Sequence, residues 1–105
     1  MKTFSERVVE LALSIPKGRV STYGALARAA GAGPMAAQSI TAILGKAYDS
    51  GVESIPFHRI VYAGGKIWTH PKYHKERMKK YKKEGIEVDA KGKIKNFREI
   101  LFEFR

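Results

Sequence analysis

Ser54-Ile55-Pro56-Phe57-His58-Arg59-Ile60-Val61 sets one aromatic and two polar side chains between a proline turn and an apolar pair. Pro56 fixes its own φ and biases Ile55 toward an extended conformation, so the backbone entering Phe57 is stiffer than an ordinary loop. Such rigidity suits presenting a side chain to a pocket. The plainer reading is a turn into a buried Ile60-Val61 strand, with Phe57 in the core and His58 and Arg59 in solvent. Eight residues alone favour the plainer reading, because short motifs match by chance often.

On the N-terminal side of that stretch the chain reads as helices. Thr3 and Glu6 have capping-box spacing, and Phe4, Val8, Leu11 and Ile15 recur at steps of four, three and four, which predicts a helix over about residues 4–14. Pro16-Lys17-Gly18 breaks it. Val20-Ser21-Thr22-Tyr23 then supplies a hydroxyl N-cap for a second helix through Gly24 to Ala30, stopped by Gly31. Pro34 stands at a first helical position, and residues 35–47 carry Ile40, Ile43 and Leu44 toward a core. Two short helices joined by a glycine-containing turn predict a helix-turn-helix. The opposite face of the third helix, with Ala36, Ala37, Gln38 and Thr41, is free of bulk and charge, which suits either close packing or close approach to nucleic acid. Tyr48-Asp49-Ser50-Gly51 is a polar turn.

On the C-terminal side, Tyr62-Ala63-Gly64-Gly65-Lys66-Ile67-Trp68 predicts a hairpin or wing, with the glycine pair at positive φ and Trp68 either in the core or exposed for stacking. Residues 71–84 predict a fourth helix, in which Lys72, Lys75, Arg77, Lys79, Lys80, Lys82 and Lys83 run with Tyr73, Met78 and Tyr81. Such runs are usually solvated faces, but this one can add phosphate contacts. A small hairpin is expected over 86–94, and the apolar end from Phe97 to Phe104 is expected to dock on the domain or to lead to a further one.

The 105 residues, 44% of them hydrophobic, suffice for one modest core. Twenty Lys and Arg against ten Asp and Glu give a formal charge of +10, which favours a polyanionic partner such as nucleic acid. No run approaches the roughly 20 apolar residues that span a bilayer, and no signal-peptide core is present, so an intracellular protein without membrane contact is expected. With no cysteine there is no thiolate metal site and no thiol nucleophile. His70 and His74 are spaced i,i+4, but a stable metal site needs a third or fourth ligand, and no cysteine and no nearby acidic pair completes it. No serine lies in a G-x-S-x-G context, and no glycine loop with a following lysine cradles phosphate. The sequence offers no self-sufficient catalytic set and calls for no cofactor.

Four blocks fall in a familiar order: Ile15-Pro16-Lys17-Gly18-Arg19-Val20-Ser21-Thr22-Tyr23-Gly24, Gly33-Pro34-Met35-Ala36-Ala37, Ile55 to Val61, and Glu84-Gly85. Together, over about residues 4–85, they resemble the DNA-binding domain of O6-alkylguanine-DNA alkyltransferases. The matching position for that family's alkyl-accepting cysteine is Phe57, so the chain looks like the alkyltransferase-like proteins, which usually carry tryptophan there. The resemblance implies a mostly α fold with small β hairpins, a winged helix-turn-helix-like domain as in the alkyltransferase C-terminal domain. It implies one such domain over 1–105, with 84–105 as a C-terminal extension packed on it or leading to a partner domain.

The same resemblance implies the roles of individual residues. Tyr23 presses on the phosphate 3′ to the damaged nucleotide, or is a plain helix-start aromatic packed on the wing. His58 and Glu84 match the pair that activates the cysteine in active enzymes, and without a thiol they remain as a structural pair. Arg59 and Ile60 line the base pocket with Phe57, and Trp68 stands at its far wall, where Trp68-Thr69-His70-Pro71 replaces the family's glycine-rich loop. DNA contacts are implied for Ser21, Thr22, Tyr23, Pro34, Met35, Ala36, Ala37, Gln38 and Thr41, with Gln38 at the position of the usual intercalating arginine. The expected function is non-catalytic binding of alkylated double-stranded DNA by base flipping, flagging O6-alkylguanine-type lesions for excision-repair proteins. A monomer, cytoplasmic and nucleoid-associated or nuclear, is expected. The alternatives are a general helix-turn-helix DNA-binding module and the targeting domain of a larger repair nuclease.

Overall fold

The computed structural model describes residues 2–32 and 34–104; Gly33 and the side chains of Pro34 and Met35 lie outside that description. Helix α1 (Phe4–Leu13) starts with the predicted capping box, Glu6 N–H donating to Thr3 Oγ1 and Thr3 N–H to Glu6 Oε1, both at 3.2 Å. Its inward face buries Val8 and Ala12, and Ile15 follows just past its end. Strand β1 (Ser21–Thr22) runs into α2 (Tyr23–Ala29), capped by Thr22 Oγ1, which accepts from Ala25 N–H at 3.0 Å.

The third helix departs from expectation at its start. Pro34–Ser39 form a 3-10 segment and the α-helix proper, α3, is Ile40–Asp49. Ser39 Oγ donates back to Ala36 C=O at 2.8 Å instead of capping forward, so no side chain closes the first turn of α3. A core of Val8, Ala12, Ile15, Leu26, Ala27, Ala30, Ile40, Leu44, Ile55 and Ile60 joins α1, α2 and α3 to the proline turn. Full burial of side chains such as Leu26 and Ile40 stabilises this layer by about 1.5–3 kcal/mol each.

The pairing of Ile60-Val61 comes from far along the chain. Strand β2 (Ile60–Val61) lies parallel to β1 in the register Ser21 to Ile60 and Thr22 to Val61. Residues 62–66 instead close a tight turn, Tyr62 N–H donating to Lys66 C=O at 2.9 Å, and Lys66 bridges antiparallel to Lys93. Gly65 has φ of +91° and stands so close to Phe97 that a Cβ would fall 2.8 Å from Phe97 Cγ, so both backbone and space require glycine there. Helix α4 (His74–Lys83) is shorter than predicted, because His70 C=O accepts from Tyr73 and His74 N–H in a turn that holds Pro71 outside the helix.

The small hairpin at 86–94 forms, with Val88 bridging Ile94. After α5 (Phe97–Ile100) the chain returns to β1: Val20 N–H donates to Ile100 C=O at 3.0 Å and Phe102 N–H to Val20 C=O at 2.7 Å. A second core of Val20, Val61, Ile67, Tyr81, Ile86 and Ile94 lies on this side. The two-stranded sheet therefore contributes to both cores, since Ile60 belongs to the first and Val61 to the second. No described helix is long and apolar enough to cross a membrane.

Candidate nucleic-acid interface

The proline turn decides the site. Pro56 at φ −83°, ψ 71° forms an inverse γ-turn, Phe57 N–H donating to Ile55 C=O at 3.0 Å, and Phe57–Arg59 continue as one 3-10 turn. Successive side chains then diverge. His58 and Arg59 go inward, against the plainer reading, and meet Glu84 at the end of α4. His58 Nε2 lies 2.5 Å from Glu84 Oε2, Arg59 donates from Nη2 at 2.9 Å and from Nε at 3.1 and 3.2 Å, and Gly18 N–H donates to Oε1 at 3.0 Å. Arg59 Nη1 also donates to Ile15 C=O at 3.0 Å, tying the turn to the end of α1.

Burial alone would raise the Glu84 carboxyl, but Arg59, the Gly18 amide and His58 outweigh it and hold the group down at about 2. The carboxylate is therefore charged at neutral pH and accepts from His58, which fixes Nε2 as the protonated nitrogen of the neutral ring. Burial pushes the His58 pKa down, against the raising effect of Glu84. Tyr81 packs edge-on to the His58 ring at 5.9 Å, and burial pushes its hydroxyl up to about 12. His58, Arg59 and Glu84 thus form a locked scaffold with no thiol beside it to activate.

Phe57, half-buried and packed against the first core as the plainer reading has it, also borders a cavity of about 460 Å³ lined by Tyr48, Glu53, Ile55, Phe57, His58, Trp68, Tyr73, Glu76, Arg77 and Lys80. Of the predicted pocket residues, Phe57, His58 and Trp68 line this cavity; Arg59, Glu84 and the buried Ile60 support it from behind. Tyr48 meets Phe57 edge-on at 6.0 Å, and the Arg77 guanidinium carbon sits 4.9 Å from the Trp68 ring centre. The α4 wall was not singled out from sequence, although Tyr73, Glu76, Arg77 and Lys80 recur at helical spacing and so share one face. A larger groove of about 1010 Å³ between α1 and α3 is apolar and shares no residue with this cavity.

Tyr23 does not line the cavity. It is half-buried at the start of α2, packs on the exposed Tyr62 ring at 5.4 Å, and has Thr41 within hydrogen-bonding reach; burial raises its pKa. Thr22 is engaged as the α2 cap. Ser21 is fully buried with its hydroxyl unpartnered, because the alternation of β1 turns this side chain inward, so the contact expected there is left to its backbone. Gln38 and Thr41 are exposed, and Ala36 and Ala37 are half-buried against the first core. The expected contacts of Pro34 and Met35 fall on side chains outside the described residues. His70 stacks on Trp68, with ring centres 5.9 Å apart and planes 12° apart, while its Nδ1 accepts from Lys72 N–H.

Comparison with known proteins agrees with this geometry. Residues 3–86 match the family model of the 6-O-methylguanine DNA methyltransferase, DNA binding domain. The chain is 37% identical over 94 residues to a bifunctional methyltransferase/endonuclease of Thermoplasma volcanium, covering 88% of this chain and 28% of that protein. It is 33% identical over 93 residues to the DNA base-flipping protein of Escherichia coli, covering 88% of this chain and 69% of that protein. The crystal structure of S. pombe Atl1 in complex with damaged DNA containing O6-carboxymethylguanine superposes with a TM-score of 0.75 at 25% identity, over 99% of this chain and 100% of that one. A fold shared along its whole length, a matched family domain and a cysteine-free site lead to one assignment: the chain belongs to the 6-O-methylguanine DNA methyltransferase DNA-binding domain family, as an alkyltransferase-like member.

Proposed function

We propose that this chain binds alkylated double-stranded DNA without chemistry, holding a flipped O6-alkylguanine-type base in the cavity beside Phe57. The observation that carries this reading is the aromatic cavity itself, open to solvent and backed by a His58-Arg59-Glu84 scaffold that has no thiol to activate. Alkyl transfer needs a nucleophile in that position, and a phenyl ring is not one. A ring can, however, contact an alkyl substituent and one face of a base. The names of the E. coli and S. pombe relatives, a base-flipping protein and a protein bound to damaged DNA, support the same reading.

The exposed Gln38 and Thr41, with Pro34, Met35, Ala36 and Ala37, form the approach to the minor groove. Tyr23 acts on the backbone of the damaged strand and Gln38 occupies the space the base leaves. Flipping costs a few kcal/mol, less at a damaged pair, and burial of the base in the cavity must offset it. Glutamine hydrogen-bonds to the orphaned base but lacks the charge and flat face of arginine. The whole chain acts as one DNA-binding domain and a monomer, and its output is recruitment of excision-repair proteins to the bent complex.

The deciding measurement compares binding to a duplex containing O6-methylguanine with binding to its unmodified twin. Tighter binding to the first with no alkyl group transferred is expected, and Tyr23→Ala is expected to lose that preference more than bulk affinity. Equal affinities would leave the second reading, a helix-turn-helix module that coats duplex through charge. The neutral Gln38 favours that reading. Fluorescence of 2-aminopurine at the target position separates the two, since unstacking raises it and plain groove binding does not.

A further inference from the structure

The segment between β2 and α4 carries, beside the cavity, a second feature that reaches beyond it. Trp68, His70 and Tyr73 bring three rings into mutual contact, with centre-to-centre distances of 5.9 Å (Trp68 to His70), 6.3 Å (Trp68 to Tyr73) and 5.5 Å (His70 to Tyr73). Trp68 is half-buried, whereas His70 and Tyr73 are exposed, Tyr73 at 44%. Clustered exposed rings are costly to leave in water without a partner.

The cluster is built rigidly. His70 C=O accepts from Tyr73 N–H at 2.9 Å and from His74 N–H at 2.8 Å, and His70 Nδ1 accepts from Lys72 N–H at 3.1 Å. Cations attend it: Arg77 lies 4.9 Å from the Trp68 ring centre and Lys72 Nζ lies 5.5 Å from that of Tyr73. Lys75, Lys79 and Lys80 follow on α4, exposed. Rings that stack, spaced along a surface whose charges track a phosphate backbone, are the features that hold unpaired nucleic acid without regard to sequence.

We propose that the Trp68-His70-Tyr73 face, with Lys72 and Arg77, is a stacking platform for unpaired nucleotides of a DNA strand. Bases stack on the exposed His70 and Tyr73 rings, and the lysines and arginine neutralise the phosphates between them. Duplex does not fit this role, because its base faces are already stacked. Trp68 and Tyr73 also line the cavity beside Phe57, so a strand opened there continues onto the platform. The platform does not depend on lesion recognition and can be tested without a lesion.

Trp68 is the single tryptophan of the chain, so intrinsic tryptophan fluorescence reports on this face and on the cavity that it borders, and Phe57→Ala, which alters the cavity without touching the three rings, is expected to leave the quenching unchanged. The intact protein is titrated with a short oligothymidylate and with an abasic strand of equal length and charge. Saturable quenching by the oligothymidylate, with at least about fivefold weaker binding of the abasic strand, is expected from stacking. Tyr73→Ala is expected to weaken oligothymidylate binding about tenfold while leaving the dependence on salt unchanged. Equal binding of the two strands, or no quenching by either, would overturn the proposal without touching the preference for lesion-containing duplex. A steeper loss for Lys72→Ala than for Tyr73→Ala, with abasic binding intact, would reduce the face to phosphate contact and overturn it too.

Discussion

At the residue scale, the scaffold behind the cavity is held by a carboxylate that lies outside the stretch Ser54 to Val61. Glu84 collects His58, Arg59 and the Gly18 amide, and its side chain is only 7% exposed. Its carboxyl sits at about 2 in the fold against an ordinary 4.5. A depressed carboxyl stabilises the fold fully above the ordinary value and loses that contribution as pH falls toward 2, a range worth roughly 3 kcal/mol. His58 adds an earlier loss. Because burial lowers its pKa, the unfolded chain takes up that proton first, and stability declines as pH drops below about 6.5. Acid should therefore destabilise in two windows. Glu84→Gln is expected to cost roughly 3 kcal/mol at pH 7 in urea denaturation and to flatten the limb below pH 4.5. An unchanged midpoint at pH 7 would mean that the ion pair only offsets its own desolvation.

At the scale of elements, caps and breakers were legible because they act over three or four residues. Thr3 with Glu6, and Thr22 ahead of α2, cap in the structure as their spacing predicted. The start of α3 was not legible, since Pro34 fits the first turn of a 3-10 segment as well as that of an α-helix. Gly64-Gly65 takes the positive φ expected of the glycine pair at the turn over 62–68. What Gly65 does is admit the Phe97 ring, a contact 32 residues away in sequence that no local pattern encodes. Gly65→Ala combines a strained φ with a clash and is expected to destabilise by more than about 1 kcal/mol. Hydrogen exchange should show the loss concentrated around residues 93–102, where Ile94 N–H donates to Gly65 C=O and Val20 pairs with the C-terminal segment. Protection there equal to that of the parent would contradict the role given to Phe97.

At the scale of the molecule, a formal charge of +10 sets how strongly DNA of any sequence is held. A base held by the rings of the cavity, Tyr48, Phe57, Trp68 and Tyr73, adds no phosphate contact of its own. Plots of log affinity against log salt for alkylated and unmodified duplex should therefore be parallel and offset, with slope set by the phosphates neutralised. Diverging slopes would place the discrimination in the charged surface. The sequence by itself determined the charge, the absence of a thiol, the caps of α1 and α2 and the family, because composition, caps and ordered motifs are local properties. Tertiary structure alone decided that Ser21 turns inward, that β2 pairs in parallel with β1, and that α4 supplies one wall of the cavity. Those outcomes depend on which distant segments share a core, and the energy that selects them comes from burial across the fold rather than from any stretch of chain.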